Sequence, residues 1–188
     1  MSPRARASQD MILGETLELI AEHGVDGVTV DMVAAATGAS KATLYRHWGS
    51  RAKLIHAALS RLQQSAMEPD SGTLREDLTT LLRQLASYLN RRDQGRIFTS
   101  LVDAAARDPE LAVLHKQNER EGRAYFERAI RRGIERGELP ADVNIRLCID
   151  LLISPFIYRR VVVQSPARQA DVEPIVDCVL AAFSRVTT

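Results

Sequence analysis

The chain has 188 residues, 45% apolar and 26% charged, which excludes a disordered or collagenous protein and leaves enough apolar material for a buried core. Aromatic residues make up only 5% while Ala, Leu, Arg and Glu abound, so intrinsic propensity favours an all-α fold. The formal net charge of +1 is silent about partners, but residues 32–67 contain no Asp or Glu and hold Lys41, Arg46, Arg51, Lys53 and Arg61, a basic patch hidden by balanced totals.

The opening MSPRARASQD is basic, yet Gly14 and Glu15 interrupt the apolar residues 11–13, so no signal peptide is expected and a cytoplasmic location is. Ser8 is the expected cap of a first helix, with apolar positions Leu13, Leu17, Ile20 and Ala21 and a stop at Gly24; Arg4 and Arg6 precede it as an arm, either a solvated tail or one that reaches a minor groove. Thr29 caps a second short helix over 30–36, Gly38 and Ala39 make a tight turn, and Ser40 caps a third short helix that ends near Trp48. Ser50 caps a fourth that runs to about Met67.

Glu68, Pro69, Asp70, Ser71 and Gly72 then read as a linker. That shift predicts a head over residues 1–50, a fourth helix over 50–67 that links it onward, and a second domain over 68–188. Thr73 and Glu76 form a capping box ahead of the leucine stripe 74, 78, 81, 82, 85 and 89, and Asp108 with Pro109 opens a long helix that ends near Gly137 and Pro140. Asp142 and Asp171 are the expected caps of two final helices, the first kinked at Pro155. The apolar segment 147–163 contains Asp150, Pro155, Arg159 and Arg160, which argues against a membrane span. Cys148 and Cys178 read as buried free thiols.

The stretch TVDMVAAATGASKATLYRHWGS, residues 29–50, has the spacing of a helix-turn-helix. Two helices of about two turns cross steeply only if the residues between them are small, and Ala34, Ala35, Gly38 and Ala39 meet that need. Leu44 and Trp48, four apart on the third helix, face the core, which turns Lys41, Ala42, Tyr45 and Arg46 outward to suit a major groove. A basic helix face is also a common solvated surface, so a protein-binding helical module without operator preference is the competing reading.

The run LYRHWGSRAKL over 44–54, with the preceding EHG and GVTV, resembles the DNA-binding region of the tetracycline-repressor (TetR) family. The resemblance implies a homodimer of about nine helices per subunit, three in a DNA-binding head and the rest in a ligand-binding and dimerisation body. It implies a DNA-facing set of Thr29, Ser40, Lys41, Ala42, Thr43, Tyr45, Arg46, His47 and Arg51. Of these, Lys41, Ala42, Thr43 and Arg46 are candidates for base readout, and Thr29, Tyr45, His47 and Arg51 for phosphate contacts. The partners so implied are double-stranded operator DNA, a small-molecule effector and a second copy of the chain.

In the family the last two helices of each subunit form a four-helix interface, and here Ile175, Val176, Val179, Leu180 and Phe183 make a suitable stripe, although such a stripe also packs on its own core. Phe98, Tyr125, Phe126, Phe156 and Tyr158 are candidate lining residues of an apolar cavity, with plain core packing as the alternative. No enzyme motif is present: HExxH, ExxH, GxSxG, GxGxxG and a phosphate loop are all missing, and His23, His47, His56 and His115 lack metal-ligand spacing. No metal, cofactor or catalytic residue is therefore expected.

Overall fold

The computed structural model describes residues 3–63, 68–91 and 94–184, and among them it shows nine α-helices and no strand. In chain order these are α1 (Pro3–Gly27), α2 (Val30–Thr37), α3 (Lys41–Trp48), α4 (Arg51–Gln63), α5 (Leu74–Asn90), α6 (Gln94–Ala105), α7 (Pro109–Glu135), α8 (Ile145–Val161) and α9 (Val172–Ser184). The chain falls into two compact units. One holds α1–α4, α6 and residues 109–118; the other holds α5, the rest of α7, α8 and α9. The sequence boundary at Glu68 divides the chain along its length, whereas packing places α6 with α1, because Ile97, Leu101 and Ala104 are buried in the same cluster as Ile12, Ile20 and Val25.

In the first unit, α1 begins at Pro3, five residues before the expected cap Ser8. Proline suits a first helical position, since its missing N–H lies among those without an intrahelical acceptor. Arg4 and Arg6 thus lie in a helical segment rather than a separate arm. The helix breaks at Gly24, whose φ of 74° and ψ of 168° leave the helical region, and a last turn follows to Gly27. A side chain at Gly24 would meet Ser100 Oγ at 3.0 Å, and that hydroxyl accepts the Val25 N–H at 2.5 Å. Thr29, Ser40 and Ser50 cap α2, α3 and α4, accepting from the amides of Met32, Thr43 and Lys53 at 3.2, 3.2 and 3.1 Å. Gly38 ends α2 with φ 70°. Val33, Leu44 and Ile55, each at most 1% exposed, fasten three helices into one core, each contributing about 1.5–3 kcal/mol of burial. The expected end of α4 near Met67 lies outside the described residues.

In the second unit, Thr73 caps α5 through the Glu76 amide at 3.3 Å, but Ser71 Oγ takes the Thr73 N–H that a full capping box would give to Glu76. Asp77 is fully buried. Its carboxylate accepts from the Ser71 amide and hydroxyl, both at 2.8 Å, and from Arg132 at 3.2 Å, tying the segment before α5 to α7. Asp108 caps α7, accepting from the Glu110 and Leu111 amides, and the helix ends in a Schellman turn with Gly137 at φ 77°. The amides of Glu138 and Gly137 reach back to the carbonyls of Gly133 and Ile134 at 2.8 and 2.9 Å.

Two expected caps are corrected. Asn144, not Asp142, caps α8 by accepting from the Leu147 amide at 3.0 Å. Asp171 closes a short 3₁₀ turn, Gln169–Asp171, ahead of α9 and pairs with Arg159 at 3.3 Å. Cys148 is buried as expected, and burial pushes its thiol up to about 11. Cys178 is exposed, because α9 buries Val172, Val176 and Val179, a face from which position 178 points away.

Candidate nucleic-acid interface

The third helix is anchored from below and open above. Leu44 is 1% exposed and Trp48 packs against the same core, so the four-residue spacing does fix which side looks out. Lys41, Ala42, Tyr45, Arg46 and His47 are exposed, Tyr45 by 50%, and Thr43 is half-buried with its hydroxyl 2.9 Å from Ser40 Oγ. Gly49, with φ 82°, stops α3 and returns its N–H to the Tyr45 carbonyl at 2.8 Å. This stop keeps the exposed face to two turns, short enough to lie in a groove.

Gln9 of α1 reaches the His47 ring, with Nε2 3.1 Å from Nδ1. When Gln9 donates there, the ring proton sits on Nε2, which is left as an outward donor. Thr29 and Ser40 accept backbone N–H bonds through their hydroxyl oxygens; Thr29 keeps its hydroxyl proton to donate, and Ser40 does so when Thr43 is the donor of the bond between their hydroxyls.

Arg51 does not join this face. Its guanidinium, 28% exposed, donates to the carbonyls of Val28 at 2.6 Å, Asp26 at 3.2 Å and Val25, with the Asp108 carboxylate 3.9 Å away. These carbonyls lie in and just after the last turn of α1, which ends at Gly27 and so offers them no helical donors, and Arg51 supplies the donors from α4. The guanidinium expected to contact a phosphate is thus engaged as an internal cap. Ser50, next to it, donates to Glu110 at 2.7 Å.

Charge pairing thins the patch further. Lys41 is paired with Asp31 of α2, and Arg61 reaches the Asp10 carbonyl and, at 3.6 Å, its carboxylate. Of the five cations in the acid-free tract, Arg46 and Lys53 have no side-chain ion pair or side-chain hydrogen bond among the described residues. Sequence counting could not find this, because Asp31, Asp10 and Asp108 lie outside the tract and only the fold brings them to it. Among the described residues there is no grouping of His, Cys, Asp or Glu that could hold a metal, and no helix long and apolar enough to cross a membrane.

Comparison with known proteins decides the family. Residues 12–58 match the description "Bacterial regulatory proteins, tetR family", and residues 68–179 match "Tetracyclin repressor-like, C-terminal domain". The chain belongs to the TetR family. It is 35% identical over 179 residues to an HTH-type transcriptional regulator from Mycobacterium bovis, covering 94% of this chain and 88% of that one. It is 31% identical over 186 residues to the regulator YdeS of Bacillus subtilis, covering 98% and 92%. A solved TetR family transcription regulator, SCO0332, superposes with a TM-score of 0.76 at 29% identity over 94% of this chain and 98% of its own. This TetR-family protein is accordingly a DNA-binding transcription regulator, with the N-terminal helix-turn-helix and helical C-terminal part of its relatives.

In the C-terminal part of this TetR-family chain, the expected interface stripe divides. Val176 and Val179 are buried in their own unit, while Ile175, Leu180 and Phe183 are half-buried. The side of α9 that stays open carries Ile175, Cys178 and Ala182, and with Leu151 and Pro155 of α8 it lines an apolar groove of about 530 Å³. Leu147, Leu151 and Tyr158 of α8, and Val162 just beyond its end, extend that open apolar surface and are 46%, 45%, 58% and 63% exposed. The candidate cavity residues also separate. Phe126 and Phe156 fill the core of the second unit, and Tyr125 is half-buried with the Arg128 guanidinium 4.9 Å from its ring centre. Tyr158 is too exposed to line an enclosed cavity, and Phe98 belongs to the first unit.

Proposed function

We propose that the protein is a homodimeric repressor that sets α3 of each subunit into successive major grooves, about 34–36 Å apart, on a pseudo-palindromic operator. The observation that carries this reading is α3 itself: Leu44 and Trp48 hold it to the core while Tyr45 and the unpaired Arg46 stand exposed. Arg46, Lys41, Ala42 and Thr43 approach base edges, and the hydroxyls of Thr29, Ser40 and Tyr45 with the His47 Nε2 donate to phosphates. Arg51 braces the head from within. A relative from Mycobacteroides abscessus, 29% identical over 98% of both chains, is named a DNA-binding transcriptional repressor, which supports repression here.

The second copy docks on the open α8 and α9 surface, whose Leu147, Leu151 and Tyr158 lie outside either unit's own core. Release is assigned to a small-molecule effector that binds better to a body holding the heads at another separation. It shifts the population by no more than its difference in affinity for the two states. A cytoplasmic location and the lack of enzymatic turnover belong to the same reading.

Selection of bound sequences from a random DNA pool tests it. A pseudo-palindrome should be enriched, its binding should weaken steeply with added salt, and Arg46→Ala and Tyr45→Ala should each lower operator affinity by about five- to a hundredfold while the dimer stays folded. Enrichment of no sequence would favour a protein partner for this face, and unchanged affinity in both variants would remove it from the interface.

A further inference from the structure

We infer that Asp31 sets the DNA selectivity of this regulator by holding Lys41, so that the lysine is aimed at one place on the operator and is withheld from general phosphate binding. The inference rests on the DNA-binding reading above. Asp31 lies in the first turn of α2, Lys41 is the first residue of α3, and the helix-turn-helix brings the two side chains into an ion pair. They are 65% and 60% exposed, and a pair so open to water contributes little to stability.

Helix electrostatics does not explain Lys41 either. A cation at the start of α3 meets the positive end of the helix dipole, so the position is unfavourable for helix formation. Asp31 is the last carboxylate before 36 residues that contain none, 32–67, and the fold returns it to the recognition helix. The pair therefore stands on the face that meets DNA.

Binding to random duplex comes from cations that settle on whichever phosphates are near. A lysine held by a carboxylate is poorly suited to that, and the carboxylate itself repels the backbone. On the operator the register is already fixed by the rest of α3, and an ammonium with a set direction loses less freedom on meeting its base edge than a wandering one. Asp31 therefore lowers random binding more than operator binding.

The test compares wild type with Asp31→Asn on the selected operator and on a random-sequence duplex of equal length, across salt. Freed Lys41 should add about one phosphate contact on the random duplex, steepening the slope of log K against log salt by about 0.9. Between 50 and 200 mM salt that is an additional loss of about 3.5-fold, and the operator-to-random ratio should fall. Adding Lys41→Gln to Asp31→Asn should restore the wild-type slope, and Asp31→Glu, which keeps the pair, should keep the ratio.

Equal slopes and ratios in wild type and Asp31→Asn, with unchanged melting, overturn the inference. So does an Asp31→Glu protein as unselective as Asp31→Asn. If wild type itself prefers no operator, both this inference and the DNA reading fall; a normal operator preference with an inert Asp31→Asn removes the inference alone.

Discussion

Arg46 and Arg51 are five residues apart on neighbouring helices, and their environments assign them opposite work. Arg46 is exposed and has no partner among the described residues, so its charge is available to an outside anion. Arg51 donates to carbonyls at the end of α1, a charge-assisted set that neutral side chains cannot reproduce. Arg51→Ala should therefore lower the melting temperature of the head, with a stability loss of about 1–3 kcal/mol from the abandoned carbonyls. Arg51→Lys should recover little of it, because an ammonium cannot serve three carbonyls with a planar fork. A thermal melt checks both, and an Arg51→Ala protein that melts like wild type while losing operator affinity would return this residue to the DNA face.

At the scale of the helix, α8 shows what burial within one chain leaves undone. Cys148, Ile149, Leu152 and Phe156 face inward, while Leu147, Leu151 and Tyr158, spaced four and seven residues apart, with Val162 four further on just past the helix end, form a second apolar seam that points out. A helix with two apolar sides uses one for its own core and one for a neighbour. Leu151→Glu should thus shift the proposed dimer to monomer in sedimentation or size exclusion with its helical circular dichroism preserved. Val176→Glu should instead abolish folding, since it forces a charge into a position with no exposure. A Leu151→Glu protein that remains a dimer would move the subunit contact off this seam.

On the scale of the molecule, acid sensitivity should centre on Asp77. Burial pushes its carboxyl up, but the hydrogen bonds from Ser71 and the Arg132 guanidinium outweigh that and hold it below its ordinary value. Glu68 is lowered in the same network, by Arg128 first and Arg132 after it. A carboxyl depressed in the folded state adds stability that is complete above the ordinary carboxylate range and is lost as the pH falls through that range toward the folded value. Asp77→Asn should therefore melt well below wild type near neutral pH, with the gap narrowing as the pH is lowered toward about 3. A gap independent of pH would mean that packing, not charge, is what Asp77 contributes.

How far the chain could be read in advance follows from the range of the forces involved. Capping acts over three residues and apolar periodicity over one helix, so Thr29, Ser40, Ser50, Thr73 and Asp108 announce their helices and the Leu44 and Trp48 spacing orients α3 without reference to the rest of the molecule. The helix-turn-helix and its outward residues were legible for that reason. α6 offered no such local sign; its helix is secured by packing on α1, far away in sequence. The pairing of Lys41 with Asp31, the inward turn of Arg51 and the side of α9 that remains open were likewise decided only by folding. Each depends on which charged or apolar groups of distant segments come within a few ångströms, and no count along the chain contains that distance.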